Sequence, residues 1–337
     1  MKKTSEAMEQ QLGSFIMGDN LEVLLISSDH VKKVIDMEAA IELMSEAFIR
    51  LSRKECYVPL RSVVENPGKK ITMFFKPAFN EASGRFAVKF LTQNENNHSR
   101  GIPTITGIIM LMDEVSGRIV AVIDGTHITA LRTGAAGGLA TRLFSREKSK
   151  SFALFGCGAQ GRTQLEAVLA VRDIKTVYLF DPNQEAAEKL ISAMHSETNA
   201  NIIYATDLEL LKEVDIISTA TGSYKPLFQM EHLKPGVHIN AIGAYKPTMQ
   251  ELDSEIVKES SLFVDDKEAC IAEAGDIIIP MQMGLINEYH VIAEIGDVVI
   301  GNHQGRSSED EITVFKSVGI AIQDLLVANA VYERYMD

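Results

Sequence analysis

The chain has 337 residues, of which 46% are hydrophobic and 23% charged, and its formal net charge is −13. This length predicts two domains, and the composition is typical of a soluble globular protein. The acidic balance argues against nucleic acid or an anionic membrane as the main partner, and it leaves room for a local cationic pocket.

Cysteine usage and the N-terminal segment favour a cytoplasmic protein. Cys56, Cys157 and Cys270 lie far apart in the chain and fit neither a disulfide framework nor a zinc-site spacing. Residues 1–20 lack the apolar centre of a signal peptide, and no apolar run approaches the roughly 18 residues of a membrane helix. We expect the first twenty residues to form a loose extension.

The N-terminal third predicts one main helix followed by mostly antiparallel strands. Residues 21–26 form an apolar run typical of a strand, and Asp36 can cap a helix whose apolar residues recur at spacings of three and four. Further strands are predicted at 56–64, 70–75, 85–92, 106–113 and 118–124. A glycine-containing helical pattern over 126–144 then bridges to the next domain.

The segment Ser151–Asp181 has the pattern of a dinucleotide-binding βαβ unit. A short apolar run precedes Gly156, Gly158 and Gly161, which form a complete G-x-G-x-x-G series, and a helix and a second strand follow. The first glycine permits a tight turn, the second lets the backbone approach a pyrophosphate, and the third allows close packing of helix and strand. The N-terminus of the helix favours the negative charge of that pyrophosphate.

Asp181 ends the second strand and favours NAD(H) over NADP(H). A carboxylate at this position accepts hydrogen bonds from a ribose diol and repels a 2′-phosphate. The following residues, 182–184, supply no Arg or Lys that would hold such a phosphate. Further strands are predicted at 200–205, 214–219, 238–241 and 262–265. Because ligands bind beyond the carboxyl ends of such strands, residues 220–222 and 242–245 should border the same crevice.

The C-terminal segment Glu311–Asp337 predicts a strand over 312–315 and a long helix. We expect it to return to the N-terminal domain. The predicted fold class is therefore α/β, with a Rossmann-type doubly wound parallel sheet and a separate, mostly antiparallel α+β domain. The substrate-binding domain would comprise 1–130 with 311–337, and the Rossmann NAD(P)-binding domain would comprise 131–310.

Three cations in the N-terminal half are candidate substrate ligands: Arg61, Lys89 and Arg132. Lys89 alternates with apolar neighbours in a predicted strand, and a solvated strand face is an equal alternative for it. Arg132 lies among small apolar residues, where a buried cation needs an anion, and a carboxylate or a pyrophosphate would serve. The eight histidines form no metal-ligand pattern, and no G-x-S-x-G hydrolase elbow occurs.

Several blocks of the chain resemble the ornithine cyclodeaminase/mu-crystallin superfamily, and the resemblance covers nearly everything after about residue 21. The matching blocks are 101–104 (GIPT), 130–136 (ALRTGAA), 156–160 (GCGAQ), 239–243 (INAIG), 294–298 (EIGDV) and 313–324 (TVFKSVGIAIQD).

This resemblance implies a homodimer in which the N-terminal domain forms both the subunit interface and the substrate pocket. It implies that Arg61, Lys89 and Arg132 bind a substrate carboxylate, with Lys89 and Arg132 acting in catalysis and Lys89 assisting proton transfer. It also implies a set of residues in contact with NAD(P): Thr133, Gly156, Gly158, Ala159, Gln160, Gly161, Asp181, Ala220, Thr221, Ile242 and Gly243.

The chain departs from the cyclodeaminases at two acids. Tyr245 stands where these enzymes carry an aspartate that activates water, and residues 73–75 contain no counterpart of their amine-binding glutamate. A phenol with a pKa near ~10 is a poor base at neutral pH. The alanine dehydrogenases of the family typically carry a lysine at the position of Arg61 and the same aspartate at Tyr245.

These departures favour an NAD(P)H-dependent reductase that converts a (cyclic) 2-imino acid, or ketimine, into the amino acid. Tyr245 would then be a wall of the substrate pocket or a hydrogen-bond donor. Three alternatives stay open: an ornithine cyclodeaminase, an alanine or other amino-acid dehydrogenase, and a non-catalytic nucleotide-dependent ligand carrier of the mu-crystallin type.

Overall fold

The computed structural model describes residues 13–17 and 21–336. The chain forms two compact units. The first contains the described residues up to Leu43, together with Arg53–Arg132 and the segment from Ile320 onward. The second contains Met44–Ser52 and Thr133–Gly319.

A mostly antiparallel sheet forms the first unit, and its order is β1-β2-β8-β7-β6-β5-β3, with β4 also pairing with β5. Only β2 and β8 pair in parallel among the described strands of this sheet. The strands are β1 (Gly13–Met17), β2 (Leu21–Ile26), β3 (Cys56–Tyr57), β4 (Ser62–Asn66), β5 (Ile71–Asn80), β6 (Arg85–Asn94), β7 (Ile105–Asp113) and β8 (Ile119–Asp124).

Helices cover this sheet or lead out of it. Helix α1 (Ser28–Val34) and helix α2 (Met37–Ser52) follow β2, and the Asp36 carboxylate caps α2 by accepting a hydrogen bond from the Ala39 amide at 2.8 Å. Helix α3 (Gly125–Phe144) follows β8 and is buried along most of its length. The C-terminal helix, α10 (Ala321–Met336), packs on β5, β6 and β7.

The second unit is built on a parallel sheet of order β11-β10-β9-β12-β13-β16-β14-β15. Its strands are β9 (Ser151–Phe155), β10 (Thr176–Phe180), β11 (Asn201–Tyr204), β12 (Ile216–Thr219), β13 (His238–Ala241), β14 (Ser261–Val264), β15 (Val291–Glu294) and β16 (Thr313–Lys316). Its helices are α4 (Ala159–Val171), α5 (Gln184–Met194), α6 (Ser254–Glu259), α7 (Lys267–Glu273), α8 (Gly275–Gln282) and α9 (Ile295–Val299), with short 3-10 turns at Leu208–Glu213, Met230–His232 and Glu288–His290.

The central strands of the parallel sheet end in register. Phe155 at the end of β9 pairs with Phe180 on β10 and with Thr219 on β12, and Thr219 pairs in turn with Ala241 on β13. The loops that follow these four strands therefore leave the sheet side by side, as ligand binding at a parallel sheet requires. The predicted fold class is confirmed.

Three expectations about element placement need correction. Residues 313–316 pair with β13 and β14 in the parallel sheet, so the chain enters the first unit at Ile320 and not at residue 311. These four residues are fully buried, as the interior strand of a parallel sheet must be.

The other two corrections concern the N-terminal third. Gly13–Met17 form a strand, so this part of the first twenty residues is not a loose extension; residues 1–12 and 18–20 lie outside the described residues. The strand predicted at 56–64 is divided into β3 and β4, with Pro59 between them. A proline lacks the backbone N–H that a continuous strand would use there.

Some elements of the second unit have no counterpart in the prediction, namely β15 and the helices α6, α7, α8 and α9. None of the helices in the described part of the chain is long and apolar enough to cross a membrane.

Candidate functional site

Lys89 lies in the middle of β6 with its side chain fully buried. Its Nζ donates to Asp324 Oδ1 at 2.6 Å and to Thr129 Oγ1 at 3.3 Å. Burial lowers the pKa of Lys89 to about 7, because the opposing effect of Asp324 is only partial and the charge of Arg132 lowers the pKa further. Lys89 can therefore gain or lose a proton near neutral pH, and the solvated strand face is excluded.

Arg132 lies on α3, and its side chain is 5% exposed. Its Nε donates to Asp324 Oδ1 at 3.2 Å, and its Nη1 donates to Gln323 Oε1 at 2.9 Å. Gln323 Oε1 also accepts a hydrogen bond from the Ile320 amide, so two donors fix the orientation of the Gln323 side chain. The sequence predicted a substrate carboxylate or a pyrophosphate as the anion for Arg132, whereas in the structure the protein itself supplies an anion, Asp324.

Asp324 joins Lys89 and Arg132 through one of its two oxygens. Burial raises the pKa of this carboxyl, but the charges of Lys89, Arg132 and Lys76 outweigh burial and hold it below its usual value. Its Oδ2 atom is buried and accepts no hydrogen bond from the described residues. Gln323 Nε2 is likewise buried and donates none to them. The site therefore keeps an acceptor and a donor that a bound molecule can use.

Lys76 is a fourth cation of this site that the sequence analysis did not select. It lies on β5 directly opposite Lys89 on β6, and its residue exposure is 5%. Side chains of directly opposite residues point to the same face of a sheet, so the two lysines share one face. Burial lowers the pKa of Lys76 well below its usual value, and the neighbouring cations lower it further.

Arg61 lies in the segment between β3 and β4, and its guanidinium carbon is 5.0 Å from the ring centroid of Phe74. Phe74 is two residues before Lys76 on β5, so it occupies the same buried face of the strand. The charge of Arg61 acts on both Lys76 and Lys89. Arg61, Lys76, Lys89 and Arg132, called the cation cluster below, all belong to the first unit.

The glycine loop in the second unit has the form that a dinucleotide needs. Gly156 has φ +94°, and a Cβ at Gly161 would lie 1.8 Å from the Gly156 carbonyl oxygen. A Cβ at Gly158 would meet no described protein atom within 4 Å, so the space over this residue is open. Gly158 also precedes the first turn of α4, whose amides face an anion approaching from that side. The loop therefore fits a pyrophosphate.

Asp181 follows β10, and its carboxylate holds the glycine loop. Its Oδ2 accepts from the Cys157 amide at 2.7 Å, and its Oδ1 accepts from the Asn183 amide at 2.8 Å. Each carboxylate oxygen can accept a further hydrogen bond, so a ribose diol can still be bound. Burial, and secondarily the Asp181 charge, raises the pKa of the Cys157 thiol to about 12, which makes this cysteine inert at neutral pH.

The other predicted cofactor contacts also lie in the second unit. Most of them are on the loops that follow β9, β12 and β13, and one, Thr133, is the first residue of α3 that belongs to this unit. Ala159 and Gln160 open α4, and Gln160 Oε1 is buried and accepts no hydrogen bond from the described residues. Ala220 and Thr221 follow β12, Ile242 and Gly243 follow β13, and Thr133 accepts a hydrogen bond from Gln164 at 2.9 Å through its carbonyl.

Glu251 organises the loops after β12 and β13, and sequence reasoning missed it. Its Oε1 accepts from the Thr221 amide at 2.6 Å and from the Thr221 hydroxyl at 2.8 Å. Its Oε2 accepts from the Thr219 hydroxyl at 2.9 Å and from the Gly243 amide at 2.6 Å. The backbone amide of Glu251 donates a hydrogen bond to the Asp276 carboxylate, which fixes the position of Glu251 beneath these loops.

Tyr245 also lies in the second unit, in the loop after β13, where its side chain is half-buried. The Lys246 Nζ is 6.0 Å from its ring centroid. Its contact with a substrate stays a prediction. No group of three or more His, Cys, Asp or Glu side chains that could hold a metal ion occurs among the described residues.

Comparison with known proteins matches residues 22–337 to the model of the ornithine cyclodeaminase/mu-crystallin family. The chain belongs to this family. Δ1-Pyrroline-2-carboxylate reductase of Bacillus cereus (strain ATCC 10987) is 35% identical over 317 residues, which are 94% of this chain and 97% of that protein.

Two solved structures of the family are similar over almost the whole chain. Thermococcus litoralis Δ1-pyrroline-2-carboxylate reductase in complex with NADH and L-proline matches with a TM-score of 0.90 and 38% identity, covering 93% of this chain and 97% of that one. An archaeal alanine dehydrogenase dimer with bound NAD matches with a TM-score of 0.88 and 35% identity, covering 94% and 97%. The family resemblance predicted from the sequence blocks is confirmed.

Proposed function

We propose that this protein is an NADH-dependent reductase that converts a 2-imino acid into the corresponding amino acid. The observation that carries the proposal is the buried group of Lys89, Arg132 and Asp324. It combines cations for a carboxylate with an amine whose pKa of about 7 suits proton transfer at neutral pH. Two of the similar proteins reported above are Δ1-pyrroline-2-carboxylate reductases, which supports the same chemistry.

Binding of the substrate carboxylate falls to Arg61, Lys89 and Arg132. A desolvated carboxylate needs cations with hydrogen-bond donors, and the fork of donors on arginine suits its two oxygens. Asp324 offsets part of the positive charge, so the cations stay together before a substrate arrives. We assign Tyr245 to the pocket as a wall or hydrogen-bond donor.

Reduction of an imine needs a hydride at carbon and a proton at nitrogen. NADH supplies the hydride when it is bound. Lys89 supplies the proton. Its ammonium form is populated near pH 7 and donates a hydrogen bond to Asp324, and its pKa of about 7 still allows the proton to be transferred. The carbon–nitrogen double bond already exists in the substrate, so this reaction requires no base that activates water.

The cofactor is assigned to the second unit, with the pyrophosphate on Gly158 and the start of α4. The ribose next to the adenine is assigned to Asp181, which favours NADH over NADPH by repelling a 2′-phosphate. The solved pyrroline-2-carboxylate reductase contains NADH, and the solved alanine dehydrogenase contains NAD. The latter is a dimer, which supports a homodimer here. We place the protein in the cytoplasm, because none of the cysteines that the structure describes forms a disulfide.

The test is NADH oxidation by the purified protein with a small panel of substrates. The panel contains five- and six-membered cyclic imine-2-carboxylates, pyruvate with ammonia, and an ornithine-to-proline assay. We expect turnover of imines and none of ornithine. Proline formation from ornithine, or turnover confined to pyruvate with ammonia, would contradict the proposal in favour of a cyclodeaminase or an alanine dehydrogenase. Tight NADH binding without any turnover would point to a ligand carrier.

A further inference from the structure

Lys76 and Lys89 face each other across two strands with both side chains withdrawn from water. In an antiparallel pair, directly opposite residues have their Cβ atoms about 4.5–5.5 Å apart, and like charges at such positions destabilise the sheet. Lys76 is 5% exposed and Lys89 is fully buried, so little solvent screens one amine from the other. Two buried amines therefore lie on the same face of the sheet, at the place where Lys89 and Arg132 meet Asp324.

The charges with the strongest effect on Lys76 are mostly positive. The strongest charge effects on its amine come from three cations, Arg61, Lys89 and Arg132, and from a single acid, Asp324. When all four members of the cation cluster are protonated, the group with Asp324 carries three positive charges. A substrate with one carboxylate would leave two of them. Burial and the neighbouring cations favour loss of a proton from each lysine, and a bound anion favours the protonated forms.

The neighbours of Lys76 on β5 lie on the same buried face as the cation cluster. Lys76 lies between Phe74 and Ala78 on the buried face of the strand, and Phe74 carries the Arg61 guanidinium over its ring. Asp324, on the helix that covers this face, draws Lys89 and Arg132 to one of its oxygens. Lys76 therefore adds its charge at one side of a carboxylate site that Arg61, Lys89 and Arg132 already form.

We propose that the preferred substrate is a 2-imino acid with a second carboxylate, and that Lys76 binds this second carboxylate. The inference rests on the proposed reductase function and names the substrate class of that same site. In four- and five-carbon imines of this kind two or three carbons separate the carboxylates, a separation similar to that of the Cβ atoms of directly opposite residues across a strand pair. The bound dianion favours the protonated form of Lys76, so its binding should be accompanied by uptake of protons.

The test compares imines that differ only in the second carboxylate. Ammonia with oxaloacetate or 2-oxobutanoate gives a four-carbon pair, and ammonia with 2-oxoglutarate or 2-oxopentanoate gives a five-carbon pair. NADH oxidation is corrected with ammonia-free controls, and the amino acid formed is identified by mass. We expect kcat/KM for at least one dicarboxylate to exceed that of its partner by about tenfold or more, the size of one charge-assisted hydrogen bond.

Variants of Lys76 then test whether this residue causes the preference for dicarboxylate imines. Lys76→Met is expected to lower the ratio of the two kcat/KM values by about tenfold or more, and Lys76→Arg is expected to keep most of it. Lys69→Met removes an exposed lysine that precedes the same strand and should leave the ratio unchanged. An equal ratio in the native protein and in Lys76→Met, or a preference for monocarboxylates in the native protein, would overturn the proposal.

Calorimetric binding separates failure of this inference from failure of the reductase function. Succinate and butanoate are titrated into the NAD+-saturated protein and into each folded Lys76 variant. If no imine is reduced, the reductase function is wrong, and tighter binding of succinate that depends on Lys76 still supports the assignment of Lys76. If imines are reduced but succinate binds no better than butanoate, the reductase function stands and the second carboxylate is wrong.

Discussion

Lys89 Nζ and Asp324 Oδ1 lie 2.6 Å apart, although 235 residues separate them in the chain, and both side chains are withdrawn from solvent. Asp324→Asn keeps the shape of this partner and removes its charge. Because the carboxylate favours the ammonium form, its loss should lower the pKa of Lys89 by about 1–3 units and move the pH profile of imine reduction to lower pH. Breaking a buried pair should also cost about 3–5 kcal/mol in urea unfolding.

The matched control for Asp324→Asn is Asp173→Asn, which removes an acid that pairs with Lys150 and Lys175 on an exposed surface. This variant should leave both the pH profile and the unfolding transition unchanged. An unshifted profile in Asp324→Asn would show that Asp324 does not set the proton affinity of Lys89.

A second prediction concerns the pH dependence of reduction itself. The pKa of Lys89 is about 7, and the protonated form is the donor, so kcat/KM for imine reduction should decline as pH rises through about 7. Oxidation of the amino acid should show the opposite dependence, since it needs Lys89 as a base. Steady-state rates in both directions across the neutral range measure these slopes.

Lys89→Arg separates charge from proton transfer at this position. Arginine stays protonated throughout the neutral range, so the variant should still bind a carboxylate but lose the decline near pH 7. Its turnover should be lower by about 10²–10⁴, the usual contribution of a positioned proton donor. Full activity in Lys89→Arg would assign the proton transfer to another group.

The glycine loop could be predicted from the sequence because all of its determinants are local. Gly156, Gly158 and Gly161 act within one turn, and Asp181 is reached by the next strand of the same βαβ unit. Asp324 could not be found in this way. An acid in the first turn of a helix is an ordinary helix feature, and its partner Lys89 comes from a distant strand.

Lys76 was missed for a different reason. Pro77 is disfavoured inside a strand, so the predicted strand ended at residue 75. In the structure β5 continues to Asn80, because Pro77 falls between the residues that pair with β4 and those that pair with β3. No partner strand is present on that side of Pro77 among the described residues, so its missing N–H leaves no ladder bond unmade there. The alternation with apolar neighbours that made Lys89 a candidate then applies to Lys76 as well.

Glu251→Gln tests the acid behind the cofactor loops. Donors from Thr219, Thr221 and Gly243 converge on the Glu251 carboxylate, and a glutamine would turn two N–H groups toward them. We expect a Kd for NADH raised by about tenfold or more and a loss of about 2–5 kcal/mol in the free energy of unfolding. Glu255→Gln, an exposed change in α6, is the control. Unaltered NADH fluorescence titrations in Glu251→Gln would contradict this role.

Asp181→Ser tests the preference between the two nicotinamide cofactors. Serine removes the charge that repels a 2′-phosphate and keeps an acceptor for the Cys157 amide, which Asp181 holds at 2.7 Å. The ratio of kcat/KM for NADH to that for NADPH should fall by about tenfold or more, mainly through better use of NADPH. Equal losses with both cofactors would mean that Asp181 supports the loop alone and does not contact the ribose.

Two alanine substitutions in the glycine loop separate cofactor binding from folding. A Cβ at Gly161 would lie 1.8 Å from the carbonyl oxygen of Gly156, so Gly161→Ala must displace backbone and should lower the melting temperature. A Cβ at Gly158 meets no described protein atom within 4 Å, so Gly158→Ala should leave the melting temperature of the free protein unchanged. The methyl group would instead occupy the space that a pyrophosphate needs, and NADH binding should weaken by about tenfold or more. If Gly158→Ala binds NADH as the native protein does, the pyrophosphate does not lie over this residue, and the assignment of the cofactor to this loop is wrong.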